Sequence, residues 1–548
     1  MSDFEAQRAR NAATPTVTTM MEAPLRVTDI LRRAEAIFAD QRIVSRLAPG
    51  VFETMSFAEA GRAARCLASA LTSLGVAPGA RVATLMWNHG THLVAYYGIP
   101  ACGAVLHTLN PRLSPEELAY IIADAGDDVV IVDEDLLPLW REVEAHVSPR
   151  HVIVNGKSDG ADDIAWADLL EQHEPVDWPQ GPFDENTPVA ICYTSGTTGR
   201  PKGVVYSHRS IILQAFGTIA PDSFNLSARS VTFTLTPMFH VNAWGVPFAA
   251  LMAGSAVVLP GPRVSADEIL DIISAERVSI AFGVPTIWTG VIEALESDKS
   301  WDLPENLMLM SGGAAPSPEM FRIFDRHGIY LQTGWGMTET SPIASQTWLL
   351  PAHDKMDEHA RIKLRASNGL PLPFIDFRIA DEDSQPLAWD GTSRGELQCR
   401  GPWVTQDYIG HPHPIPATTP DGWLKTGDVA VIRPDGYVQL VDRLKDLIKS
   451  GGEWISSVDM ENVIAELANV AEAAVIAIPD DKWGERPMAL VSPRAGATLT
   501  AEQVTLHLQA RYPKWMVPDR VEVLDDLPKT GTGKLNKLLM RQTWGLAT

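Results

Sequence analysis

Cysteine is scarce in this sequence, with four in 548 residues. Cys66, Cys102, Cys192 and Cys399 lie far apart, form no CxxC pair and sit in apolar contexts such as RCLASAL and PACGAVL. That pattern speaks against a zinc site or a disulfide framework and for free, buried thiols in a reducing compartment. Positive charge is short as well: 45 Lys and Arg stand against 68 Asp and Glu, a formal net charge of −23. A nucleic-acid binder presents a basic field to phosphates, so this balance argues against that role. It leaves room for small polyanions, which a few local cations and backbone N–H groups can hold. No apolar run is long enough to cross a bilayer, and the N-terminal MSDFEAQRAR lacks the apolar core of a signal peptide. The expectation is a cytoplasmic protein without stable membrane insertion.

What is present is a globular composition, 45% hydrophobic and 21% charged, on a chain long enough to need at least two domains. Up to about residue 440, helix-period segments alternate with short apolar β-type runs, the texture of α/β architecture. FAEAGRAARCLASALTSLGV reads as an amphipathic helix ending at Gly75, and RVATLMW, AVLHTL and DVVIVD read as buried strands. LSPEELAYIIADAG carries a helix start at Ser114-Pro115 and a stop at Gly126. A second series follows in SAVVLP, a helix from Ser265 through Ala275, SIAFGVP and LMLMSGG. Beyond residue 440, a polar, glycine-containing stretch leads into helix, strand, helix and a lysine-rich tail. The expected fold is therefore α/β: a large N-terminal domain of βα subdomains (1–441), a hinge (442–447) and a small, mobile α+β C-terminal domain (448–548).

The segment YTSGTTGRPKG, Tyr193 to Gly203, gathers hydroxyls, glycines and a lysine behind the strand PVAICYT. Glycines let the backbone curl so that N–H groups converge, hydroxyls add donors and lysine adds charge, a chemistry that suits a triphosphate. It is not a Walker A loop. Counted from Gly196, the sixth place is Pro201, and Lys202 is followed by Gly203 rather than Ser or Thr.

This string resembles the phosphate loop of the adenylate-forming superfamily, which includes acyl-CoA synthetases, adenylation domains of peptide synthetases and firefly-type luciferases. The resemblance continues in order along nearly the whole chain. It implies ATP binding by Thr194, Ser195, Gly196, Thr197, Thr198 and Lys202. LQTGWGMTET resembles a second signature, with Trp335 where tyrosine is usual, between Gly334 and Gly336. The resemblance implies adenine stacking on Trp335, Thr338 at the α-phosphate and Glu339 on Mg²⁺, with Thr197 as a second metal contact. SGGAAP, with Gly312, Gly313 and Ala314, would line the adenine and the acyl tunnel. Asp428 in WLKTGDVA would accept from the ribose hydroxyls, reinforced by Arg443 in VDRLKD. Lys534 in LPKTGTGKLNK would stabilise charge as pyrophosphate departs. Lys445 holds the hinge position, and Ser450, Gly451, Gly452, Glu453 and Trp454 would face the pantetheine arm of CoA after the small domain rotates.

PMFHVNAWG resembles the segment that approaches the acyl group, with His240, Val241 and Trp244. Amino-acid-activating relatives place an aspartate where this chain has His240, so a simple acid is favoured, with His240 as a gate beside its carbonyl and Trp244 narrowing the tunnel. Within the superfamily the chain resembles medium-chain fatty acyl-CoA ligases and 3-methylmercaptopropionate CoA ligases. The partners implied are ATP, Mg²⁺, CoA and a small carboxylic acid, with a homodimer admitted. The rival readings are an enzyme that passes its acyl group to a carrier protein and an inactive binding relative. Retention of Lys202, Glu339, Asp428, Arg443 and Lys534 together disfavours the second.

Overall fold

The computed structural model of the protein describes residues 20–194, 200–411, 413–451, 453–494, 496–529 and 535–544. Helices begin where the sequence supplies a cap. The Ser114 hydroxyl accepts from the Glu117 N–H and the Glu117 carboxylate accepts in return from the Ser114 N–H. Pro115 opens the helix Pro115–Ala125, and Gly126 closes it at φ 70°. The same reciprocal pairs, Ser56 with Glu59 and Ser265 with Glu268, start the helices Phe57–Ser73 and Ala266–Ala275. The first of these stops two residues short of the expected Gly75, which instead turns the chain at φ 77°.

The apolar runs become strands of two mostly parallel sheets. One holds seven strands in the order Ile164–Ala165, His151–Asn155, Asp127–Asp133, Arg81–Leu85, Val105–Thr108, Pro188–Tyr193 and Gly203–Ser207, antiparallel only at the last pair. The other holds nine, with Tyr330–Gly336, Met308–Ser311, Ile280–Gly283, Val231–Thr234, Ala256–Leu259 and Arg42–Ala48 running parallel between antiparallel edges. Ala256–Leu259 and Ile280–Gly283 are buried at every position, as strands covered by helices on both faces must be. A four-stranded antiparallel sheet follows, Asp376–Ala380, Gly395–Arg400, Leu424–Ile432 and Val438–Arg443.

From Arg443 the chain crosses through Leu444–Leu447 into a separate five-stranded sheet, which opens with the hairpin Ile448–Ser450 and Glu453–Ile455. The long antiparallel pair Val470–Asp480 and Gly484–Pro493 forms its body, packed by the helices Ser457–Ala465 and Ala501–Gln509. The architecture is thus a large α/β domain with a smaller α+β domain, as the sequence pattern predicts. The four cysteines are free, three of them buried and Cys102 partly so. Among the described residues no helix is long and apolar enough to cross a membrane.

One buried histidine ties the first described helix, Val27–Ile37, to the rest. His208 Nδ1 accepts from the Val27 N–H at 3.1 Å, and its ring meets Phe183 edge-on at 4.8 Å. Burial, helped by the nearby Arg26, lowers its pKa to about 4. The unfolded chain takes up this proton near pH 6.5 and the folded chain only near pH 4, so the contribution is complete above pH 6.5 and drains away as pH falls towards 4. His208→Asn keeps an acceptor near the Nδ1 position and removes the titration. Denaturant unfolding of both proteins at pH 7 and pH 4.5 should show wild type losing on the order of 2 kcal/mol more than the variant.

Candidate active site

Segments of the two large sheets come into contact near the carboxyl ends of their strands, where open α/β folds bind ligands: Cys192 Sγ donates to Asn242 Oδ1 and the Tyr206 hydroxyl to the Thr338 carbonyl. The strand Pro188–Tyr193 leads to Thr194 and the phosphate-type loop. The strands Val231–Thr234, Met308–Ser311 and Tyr330–Gly336 lead to PMFHVNAWG, SGGAAP and MTET. Ser195, Gly196, Thr197, Thr198, Gly452 and Lys534 lie outside the described residues. The stem of the loop is clamped by its ends: the Thr194 N–H donates to the Lys202 carbonyl at 2.9 Å and the Lys202 N–H to Thr194 Oγ1 at 3.1 Å.

Asp428 and Arg443 stand opposite each other on adjacent strands. Asp428 is buried; Trp335 Nε1 donates to its Oδ2 at 2.9 Å and Arg443 Nε to its Oδ1 at 2.7 Å. An ionised carboxylate offers about four lone-pair sites and accepts only, the chemistry that hydroxyl donors require. Trp335 is itself buried, edge-on to Phe377 at 5.6 Å. Gly336 permits the backbone to fold onto Pro342, since a Cβ there would stand 1.9 Å from the Pro342 carbonyl oxygen.

A second buried carboxylate, Glu339, is held differently. The Tyr408 hydroxyl donates to Glu339 Oε1 at 2.6 Å, and the Glu339 carbonyl accepts from the Thr405 N–H at 2.8 Å. Burial raises the Glu339 pKa above the usual carboxylate value, with the Tyr408 bond and Arg443 acting against that rise. The Lys202 ammonium lies 4.7 Å from the centroid of the Tyr408 ring. Neighbouring Thr338 is buried, and its carbonyl accepts from the Tyr206 hydroxyl at 2.7 Å. Among the described residues no group of three or more His, Cys, Asp or Glu is arranged to hold a metal. A single buried carboxylate with one oxygen bonded by a phenol fits a hard cation that takes most of its oxygens from phosphate and water.

On the acyl side, Trp244 packs over Gly312, where a Cβ would come within 2.9 Å of the indole. Gly313 and Ala314 are exposed beside it, while Val241 is buried and His240 half-buried. The backbone here is unusual. Val241, Asn242, Ala243 and Trp244 all have φ between 47° and 60°, followed by Gly245 at 77°. Left-handed conformation costs roughly 1–2 kcal/mol per non-glycine residue, so neighbours must hold it. The Tyr96 hydroxyl donates to the Met238 carbonyl, Asn88 Oδ1 accepts from the Met238 N–H at 2.7 Å, and Gln214 Nε2 reaches the Trp244 carbonyl at 3.5 Å. Cys192 Sγ donates to Asn242 Oδ1 at 3.5 Å, which joins this turn to the strand behind the phosphate-type loop.

In the small domain, Ser450 is buried against Arg486, and the Gly451 N–H donates to the Trp483 carbonyl at 2.8 Å. Glu453 and Trp454 are exposed, with the Lys449 ammonium 5.1 Å from the Trp454 ring centroid. Lys445 is exposed, and partial desolvation lowers its pKa. The described residues therefore fall into three groups: Thr194, Lys202, Thr338 and Glu339 with Trp335, Asp428 and Arg443, expected from the sequence to meet the nucleotide; His240, Val241, Trp244 and Gly312, expected to meet the acyl group; and the Lys449–Trp454 hairpin in the small domain. Tyr408, Tyr96, Asn88 and Gln214 are the participants that sequence reasoning missed.

Comparison with known proteins agrees with this geometry. The chain is 42% identical to a long-chain-fatty-acid–CoA ligase of Thermus thermophilus, over 96% of this chain and 97% of the relative. It is 40% identical to a 3-methylmercaptopropionyl-CoA ligase of Ruegeria pomeroyi, over 95% of this chain and 98% of the relative. The solved structure of the anthranilate CoA ligase AuaEII with anthranoyl-AMP superposes with a TM-score of 0.84 at 25% identity, covering 95% of this chain and 98% of that one. Residues 31–409 match the AMP-binding enzyme family and residues 459–534 the AMP-binding enzyme C-terminal domain. The chain belongs to the AMP-binding enzyme family, in its acyl-CoA synthetase branch, and is an ATP-dependent, acid-activating ligase.

Proposed function

We propose that this ligase is an acid–CoA ligase acting on a short- to medium-chain fatty acid or 3-methylmercaptopropionate, in the cytoplasm. The observation that carries the reading is the pair of neighbouring buried carboxylates, Asp428 held by Trp335 and Arg443, and Glu339 held by Tyr408, whose ring lies against Lys202. In the first half-reaction the acid's carboxylate oxygen attacks the α-phosphorus of ATP, the bond to pyrophosphate breaks and acyl-AMP forms. In the second, the CoA thiol attacks the acyl carbon, and AMP leaves with the bonding electrons. Asp428 takes the ribose hydroxyls, Thr338 the α-phosphate and Lys202 the outer phosphates. Glu339 and Thr197 hold Mg²⁺, which when bound neutralises phosphate charge. Lys534 meets the charge that develops as pyrophosphate departs. Residues 442–447 then act as the hinge about which the small domain turns, removing Lys534 and bringing Ser450–Trp454 to the pantetheine arm.

Nothing in the second step needs a protein nucleophile, since the mixed anhydride is already activated. His240 stands where amino-acid-activating relatives carry an aspartate, which favours an acid without an ammonium group. Trp244 over Gly312 sets the depth of the acyl tunnel.

Purified protein with ATP, Mg²⁺ and CoA, offered acids from acetate to decanoate with 3-methylmercaptopropionate, cinnamate and several amino acids, should give AMP, pyrophosphate and thioester by mass. Lys534→Ala should lower adenylation about 10²- to 10³-fold. Acyl-AMP without thioester would move the acceptor from CoA to a carrier protein, and no AMP from any acid would sink the reading. Asp428→Asn loses a charge-assisted site for the ribose and should cost about 10- to 100-fold in kcat/KM for ATP, with the acid's KM little changed. Trp244→Ala should shift the preferred acid towards longer chains, each accommodated methylene contributing about 1 kcal/mol in kcat/KM. An unchanged chain-length profile would remove Trp244 from the tunnel.

A further inference from the structure

The segment Thr405–Ile409 is bound on both sides. The Thr405 N–H donates to the Glu339 carbonyl and the Ile409 N–H to the Gly203 carbonyl, each at 2.8 Å, while Asp407–Tyr408 pairs with Ile415–Pro416 in a small ribbon. The backbone of Tyr408 is therefore fixed between the two ends of the nucleotide site, the glycine that closes the phosphate-type loop and the turn that carries Glu339. Its side chain reaches both charged groups there. The hydroxyl donates to Glu339 Oε1 at 2.6 Å, the short distance expected of a bond to an ionised acceptor. The ring carries the Lys202 ammonium at 4.7 Å from its centroid, well inside the range of a cation–π contact.

We propose that Tyr408 is a positioning residue for both charged groups: its hydroxyl aims the Glu339 carboxylate by occupying Oε1, leaving the other oxygen for a divalent cation, and its ring holds the Lys202 ammonium where a triphosphate meets it. The inference rests on the nucleotide-binding reading and deepens it, giving Tyr408 two separate tasks there. The two tasks use different atoms, so they separate by mutation. Tyr408→Phe removes the hydroxyl and keeps the ring under Lys202, whereas Tyr408→Leu removes both.

Calorimetric binding of ATP, in EDTA and across a series of free Mg²⁺ concentrations, reads the two tasks apart. The spectrum of Mn²⁺ in the protein–nucleotide complex reports the cation's surroundings directly, and the thermal unfolding midpoint checks the fold. Tyr408→Phe should bind ATP in EDTA like wild type, need about 10-fold more free Mg²⁺ for half-maximal tightening and change the Mn²⁺ spectrum. Tyr408→Leu should show the same metal defect and also lose about 3-fold in metal-free ATP affinity. A Tyr408→Phe protein with the wild-type Mg²⁺ requirement and Mn²⁺ spectrum overturns the role of the hydroxyl. Variants indistinguishable from each other in EDTA overturn that of the ring. A side chain that only packs would lower the unfolding midpoint and leave the metal requirement where it was. Wild-type protein that binds no ATP would instead bring down the nucleotide-binding reading itself, a result readily told apart from a silent Tyr408.

Discussion

A carboxylate taken out of water must find its compensation nearby, and the nucleotide side of this protein is arranged around two that have been buried. Asp428 is compensated within the protein, by a guanidinium on the next strand and an indole N–H, so its geometry is set before any ligand arrives. Glu339 is not compensated to the same degree: among the described residues one phenol hydrogen-bonds its side chain and none forms an ion pair with it, and burial drives its pKa upward. The two carboxylates thus differ in how they are compensated, and the proposed reaction gives them different work: Asp428 takes neutral hydroxyls, and Glu339 takes charge that arrives with phosphate.

The acyl side depends on a different constraint, backbone strain. Four consecutive left-handed residues would not persist in an isolated peptide. Here Tyr96, Asn88, Cys192 and Gln214 surround the turn from two helices, a strand and a loop and hold it, with the result that Trp244 is delivered against Gly312. Gly245 ends the run because Gln214 lies too close for a Cβ, whose nearest approach would be 2.4 Å. A side chain placed on a strained turn gains a direction that a regular helix or strand would not give it. The cost of that direction is spread over a shell of buried polar groups behind it.

How much of this could be read beforehand follows from how local each feature is. Capping boxes at Ser56, Ser114 and Ser265 are written within four residues, and the structure starts helices at each. Buried parallel strands are written as short apolar runs, and those runs became the two large sheets. Family resemblance located Asp428, Glu339 and the phosphate-type loop because their segments are recognisable as strings. Tyr408 was invisible by the same logic. It is one tyrosine in a polar stretch, and its partner Glu339 is 69 positions away. Tyr96 is likewise 142 positions from the carbonyl it holds. The left-handed run at Val241–Trp244 contains no residue with a preference for that conformation except Asn242, so nothing in FHVNAWG announces it.

The crossing between the domains shows the same economy of local and distant contacts. Asp442, at the end of the large domain's last strand, accepts from both the N–H and the hydroxyl of Ser457, the first residue of the small domain's helix Ser457–Ala465. That same hydroxyl accepts from Lys537, which also pairs with half-buried Glu461 at 2.6 Å, and Arg541 pairs with Asp446 inside the crossing. The helix Lys537–Trp544 is therefore fastened to the body of the small domain by a half-buried ion pair rather than hanging from it as a tail. Lys534 lies three residues before that anchor. Rotation about Leu444–Leu447 would carry Lys537 and Glu461 together, because both belong to the moving side, and would have to exchange the bonds from Asp442 to Ser457, because those span the joint. Such a rotation would also have to exchange the bond from the Ser456 hydroxyl to the Val441 carbonyl and the ion pair between Arg494 and Glu293.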